Sequence, residues 1–413
     1  MKRTKLGASW RRLASALALT FTLLALAAPR AIAEKNYAPG ITDTEIKIGQ
    51  TMPYSGPASA YSTAGKAMLA YFKMLNDHGG VNGRKIVLVS LDDGYSPPKT
   101  MEQTRKLVEQ EGVAFIYASL GTAANTAIQK YLNERKIPQL LIATSASKFN
   151  DPQHFPWTTP QVSASYHTEG KIYAKYILQH RPDAKIAVLF QNDDFGKDYL
   201  SGLKDGLGDK AAKLIVAQAS YEVTDATIDS QILTLQASGA DTFYDISTPK
   251  FAAQAIRKVH DIGWNPTHFL DAVSAYVGLV FEPAGLDKST GIISATIGKD
   301  ITDPRLREDQ GYQDWLAWMQ KYYPDGSILD SVNAGGYSSA QTLVQILKQC
   351  GDDLSRENIM RQATNVHGLS LPMLLPGITV EISPNDYEAV KRMYVRRFNG
   401  KSWDLLEEVL AKN

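Results

Sequence analysis

Two short loops hold the residue types best suited to gripping a small anion: Ser-Leu-Gly-Thr at 119–122 and Thr-Ser-Ala-Ser at 144–147. Gly121 and Thr122 stand where a helix is about to begin. A helix start offers free backbone N–H groups and the positive end of the helix dipole. Ser145 and Ser147 add hydroxyls, and Ala146 keeps the loop small. The chemistry this implies is non-covalent, a pocket for an anionic group and most simply a carboxylate.

The elements around these loops explain why they should meet. Residues 113–118 are a continuous apolar run of the kind buried in a parallel sheet. A helix over 123–135 places Ala127, Ile128, Tyr131 and Leu132 on one face, and a second apolar strand covers 139–143. In a doubly wound sheet both loops then lie at the carboxyl ends of adjacent strands, where such folds bind ligands. Upstream come a strand at 45–50, a helix at 64–76, an Asn82-Gly83 turn and a strand at 85–91. The pattern restarts with a helix at 166–180, a strand at 185–190, the loop 191–196 and a helix from about 197. Helices at 228–238 and 249–262 and strands at 241–246, 267–270 and 291–296 continue it. Helices at 312–323 and 332–349 follow without an intervening strand. A strand-like 393–398, a turn at Asn399-Gly400 and a short tail end the chain. This alternation predicts an α/β fold of two Rossmann-like lobes with mainly parallel sheets.

Composition narrows the function. At 413 residues the chain is too long for one core. A net charge of +1 with interspersed signs argues against nucleic acid or a membrane surface as the main partner. Residues 1–33 read as a secretory signal: Lys2, Arg3, Lys5, Arg11 and Arg12 are basic, 13–28 is apolar, and Ala31-Ile32-Ala33 is a small-x-small cleavage pattern. The mature protein is expected to be soluble and exported. The single cysteine, Cys350, permits no internal disulfide and reads as a packed hydrophobe.

Other chemistries are weakly supported. Ser145 to Lys148 spells Ser-x-x-Lys, but the Ser-Asp-Asn and Lys-Thr-Gly partners of that acylating motif do not occur in the sequence. Gly202, Gly206 and Gly208 do not make a dinucleotide fingerprint, and seven scattered histidines give no metal-ligand spacing. Asp92-Asp93 and Asp193-Asp194 suit loop capping better than catalysis. Trp315, Trp318, Tyr322 and Tyr323 have the spacing of a packed helix face. No cofactor, metal or enzymatic activity is expected.

Several features in order and spacing give the mature chain a resemblance to a known family. They are Ser55-Gly56-Pro57, the run 79–83, Asp92-Asp93, 120–122, 144–147 and Phe195-Gly196. Over nearly its whole length the chain resembles the periplasmic binding proteins of branched-chain amino-acid ABC transporters. The resemblance implies two lobes joined by three crossovers near Gln161, Ile297 and Lys391. Residues 34–160 and 298–390 would form lobe 1, and 161–297 with 391–413 lobe 2. It also implies a monomer that closes on its ligand and hands it to a membrane permease and its ATPase. Gly121-Thr122 and Ser145-Ala146-Ser147 fall at the family's carboxylate-holding loops, Tyr61 and Phe195 in its side-chain pocket, and Thr248 near a lobe 2 tyrosine. Val273 falls where the family has the acid that receives the ligand's ammonium, with Asp271 two residues away. Tyr95 and Leu120 replace the family's lobe 1 disulfide. A buried cation without an anion is costly, so a carboxylate lacking the amine fits better. Its body would be aromatic or branched, enclosed by Tyr61, Tyr95, Leu120 and Phe195, with Thr248, Val273 and Ser274 closing over it. A binder of branched-chain amino acids and a sensing subunit docked on a receptor remain as alternatives.

Overall fold

The computed structural model describes residues 35–410; the expected leader and the end of the tail lie outside them. The first apolar strands assemble into one five-stranded sheet, all parallel, in the order Lys85–Asp92, Glu45–Met52, Ile116–Tyr117, Gln139–Ile142, Thr158–Pro160. Strand order reverses beside Glu45–Met52, which opens a crevice at the carboxyl ends there. The run 113–118 is buried throughout and bonds to both neighbouring strands, the Ala114 N–H to the Lys47 carbonyl at 2.8 Å and the Ala118 N–H to the Leu140 carbonyl at 2.9 Å. Helix Thr122–Glu134 then starts directly at the crevice.

Seven strands form the second sheet, in the order Trp403–Leu410, Arg392–Phe398, Ile293–Thr296, Thr267–Leu270, Thr242–Ile246, Ile186–Gln191, Ile215–Tyr221. Five of them are parallel, and the two C-terminal strands are added antiparallel. Two of these strands differ from the sequence reading. The expected short tail after Asn399-Gly400 is the edge strand Trp403–Leu410, and Ile215–Tyr221 forms the opposite edge. Each has one face open to solvent, so neither shows the apolar run of a central strand.

Helices complete both lobes. Ser62–Asp77 packs on Ser331–Cys350, where a Cβ at Gly336 would come within 2.9 Å of the Ala64 carbonyl oxygen. Trp315 and Trp318 are buried, with the Trp318 ring 4.8 Å from that of Tyr337, so the aromatic helix packs its face inward. Cys350 is buried in the same core, and burial pushes its thiol up to about 12. The chain passes between the sheets three times: after Thr158–Pro160, after Ile293–Thr296 and before Arg392–Phe398.

Candidate functional site

A cavity of about 290 Å³ lies between the lobes, at the carboxyl ends of the first sheet. Its wall is largely apolar, with Met68, Leu120, Leu141, Val332 and Met373 among its residues. Aromatic rings come from both lobes: Tyr61 and Tyr95 from the first, Tyr166, Phe195 and Tyr276 from the second. The lobes touch across it, the Tyr61 hydroxyl donating to the Val273 carbonyl at 2.8 Å.

Of the residues expected at the site, Tyr61, Tyr95, Leu120, Gly121, Thr122, Phe195, Thr248 and Val273 line this cavity. Phe195 is positioned by the cap of its helix, in which the Asp193 carboxylate accepts the Phe195 and Gly196 N–H groups. Asp92 and Asp93 likewise accept loop N–H groups, from Ser55, Gly94 and Tyr95. Thr248 starts helix Pro249–Asp261, and its N–H donates to the Tyr221 hydroxyl oxygen at 3.0 Å.

Ser145, Ala146, Ser147 and Ser274 were expected to touch the ligand, and the structure places them outside the cavity wall. Ala146 and Phe149 pack into the lobe 2 core, and this pulls the loop 144–149 toward the other lobe and away from the cleft. Ser145 Oγ accepts from Gln161 Nε2 at 2.9 Å. The Ser147 N–H and hydroxyl both donate to the carboxylate of Asp198, the N–H at 2.8 Å. Ser274 is fully buried, with its hydroxyl on the Ser247 carbonyl. The Gly121 loop is covered too: at φ 107° a Cβ on Gly121 would lie 2.7 Å from the Tyr95 ring. The Thr122 hydroxyl is hydrogen-bonded to that of Thr144 at 2.8 Å.

The cavity wall contains three charged residues, none singled out by the sequence reading: Glu169, Lys299 and Arg396. Lys299 Nζ is held by both carboxylate oxygens of Asp309, at 2.6 and 2.7 Å. Glu169 accepts from the Ala272 N–H and the Tyr199 hydroxyl, each at 2.8 Å, and burial pushes its carboxyl up to about 7. Arg396 is 7 % exposed, and its Nη2 donates to the Ala275 carbonyl at 3.2 Å. Its signal in the sequence was an Arg396-Arg397 pair inside an apolar strand. Asp271 is fully buried but stands behind the wall, with one carboxylate oxygen accepting the Ser247 N–H at 2.8 Å. Among the described residues no group of acids, histidines or cysteines could hold a metal.

This fold and cleft agree with the relatives. The periplasmic binding protein family model matches residues 45–402, and the chain belongs to that family. It is 24% identical over 318 residues to Leu/Ile/Val-binding protein homolog 1 of Brucella abortus, covering 74% of this chain and 83% of that protein. A substrate-binding periplasmic protein from Ralstonia solanacearum superposes with a TM-score of 0.78 at 23% identity, over 88% of this chain and 100% of that one. An ABC-transporter solute-binding protein from R. palustris, solved in complex with benzoate, gives 0.74 at 18% identity over 89% and 96%. The fold is the type I periplasmic binding fold.

Proposed function

We propose that this protein binds a small organic carboxylate with an aromatic or branched aliphatic body in the interlobe cavity and delivers it to an ABC permease. In this reading residues 1–33 direct export to the periplasm, 34–160 with 298–390 and 161–297 with 391–413 are the two lobes, and the monomer catalyses nothing. The observation that supports it best is that Val273 puts no acid in the wall and that burial holds the wall's one acid, Glu169, toward its neutral form. Val273 offers a carbonyl that accepts from Tyr61, Asp271 stands behind the wall, and Glu169 is buried with its carboxyl pushed up to about 7 and one hydrogen bond on each oxygen. A zwitterionic amino acid would bury its cation uncompensated, which costs several kcal/mol. The benzoate bound by the R. palustris relative is a carboxylate of the kind proposed.

Thermal unfolding tests this. Benzoate, 3-phenylpropanoate and 4-methylpentanoate should include at least one acid that raises the midpoint in step with RT ln(1 + [L]/Kd). Leucine, isoleucine and valine should leave it unchanged. A shift by leucine alone would return the protein to the amino-acid binders.

A further inference from the structure

We infer that Arg396 receives the ligand's carboxylate and makes this protein select acids over their neutral amides. The inference rests on the carboxylate reading above and adds the residue that executes it.

Arg396 is the one cation of the cavity wall without an acid at ion-pair distance among the described residues. Lys299 has Asp309, and Glu169 has two hydrogen-bond donors. The nearby acids Asp300 and Glu169 act on the guanidinium only from beyond ion-pair distance. Asp300 turns one oxygen to the Trp403 N–H at 2.8 Å and the other to the N–H and hydroxyl of Thr302. Arg396 Nε is buried without any hydrogen-bond partner. A guanidinium has five donors in a planar fork that matches a carboxylate, and it stays protonated even when buried. Leaving such a group dry and unpaired is costly, and an incoming carboxylate would remove that cost.

The surrounding strands hold Arg396 for this task. Its guanidinium carbon lies 4.0 Å from the centre of the Trp403 ring, which fixes the plane of the fork. The pairing register of Arg392–Phe398 with Trp403–Leu410 shifts between Val395 and Arg396. The extra residue is Leu406 on the partner strand, and Arg392–Phe398 itself pairs without a break with Ile293–Thr296. Met393 and Arg396 stand on opposite faces of Arg392–Phe398, yet both reach the cavity wall. At the far end of the cavity Tyr95 covers Gly121 and Thr144 occupies the Thr122 hydroxyl, so that end suits the apolar body.

The test is calorimetric titration of wild type, Arg396→Gln and Arg396→Lys with 4-methylpentanoate against 4-methylpentanamide and 3-phenylpropanoate against 3-phenylpropanamide. Wild type should bind an acid at least ~30-fold tighter than its amide, the scale of a buried charge-assisted pair. Arg396→Gln should bring the two within about threefold by weakening only the acid, and Arg396→Lys should restore part of the preference. Equal weakening of acid and amide would make Arg396 a packing residue and overturn the inference, as would a preference that survives Arg396→Gln. Failure of wild type to bind any acid would sink the carboxylate reading and this inference together. A crystal structure of wild type with 3-phenylpropanoate decides independently of the variants' folding. The carboxylate should sit about 3 Å from the guanidinium, and a carboxylate at the Gly121-Thr122 loop would contradict the assignment.

Discussion

Glu169 lies in the cavity wall with its carboxyl pushed up to about 7, mainly because burial disfavours the charged form. The unfolded chain releases that proton near the ordinary value of 4.5, the folded protein near 7. Between those values the folded state binds more protons, so this group's contribution to stability is greatest below pH 4.5 and is lost as pH rises through 7. The full swing is on the order of 3 kcal/mol. Glu169→Gln should abolish it: the unfolding midpoint of the variant relative to wild type should climb between pH 4.5 and 7. Parallel midpoint curves would contradict a buried, proton-holding Glu169. At this scale the sequence showed residue type but not direction. Gly121 could be placed in the cleft because a strand end fixes its position, and Tyr61 and Phe195 through the family resemblance. Ser147 could not, because Phe149 two residues later draws the loop into the lobe 2 core. Arg396 was hidden for the opposite reason: an arginine inside an apolar strand reads as solvent-facing until the sheets covering it are known.

Helices Tyr166–His180 and Asp194–Leu207 cross so closely that two glycines are required at the contact. A Cβ at Gly202 would fall 2.1 Å from the His167 carbonyl oxygen, and one at Gly170 2.4 Å from that of Tyr199. These glycines let the helices that position Tyr166, Glu169 and Phe195 approach. Gly202→Ala should cost about 2 kcal/mol through overpacking. It would be read as a lower urea midpoint with an unchanged slope. An unchanged midpoint would show that the helices have room to part. Most elements were legible from apolar runs and 3.6-residue periodicity, including both long helices of lobe 1. The two edge strands were not, since an edge strand with an exposed face lacks the apolar run that marks a central one. Trp403–Leu410 exposes Leu405 and Leu406 while burying Trp403, a pattern that reads as a polar tail.

Closure of the whole molecule is held by a small set of contacts between lobes. Tyr61 donates to Val273, Ser147 to Asp198, and Lys148 pairs with Asp194 at 2.8 Å on the exposed rim. The rim pair contributes little. The Tyr61 bond is enclosed, and a bond of that kind is worth about 1 kcal/mol. Tyr61→Phe should therefore weaken binding of the acid ligand about fivefold, through faster release in stopped-flow measurement. An unchanged release rate would mean that closure does not depend on it. The two-lobe plan was visible in the restart of the β/α pattern near 166. Which charges the closed cleft leaves unpaired was not, because that depends on Asp309 meeting Lys299 and on Asp300 turning away from Arg396. The central claim is that this cleft takes the carboxylate and has no place for the ammonium. Calorimetric titration with pairs differing only in that group tests it most directly: 4-methylpentanoate against leucine, and 3-phenylpropanoate against phenylalanine. The account predicts heat of binding for an acid and none for its amino acid; tighter binding of leucine or phenylalanine than of its matched acid would contradict it.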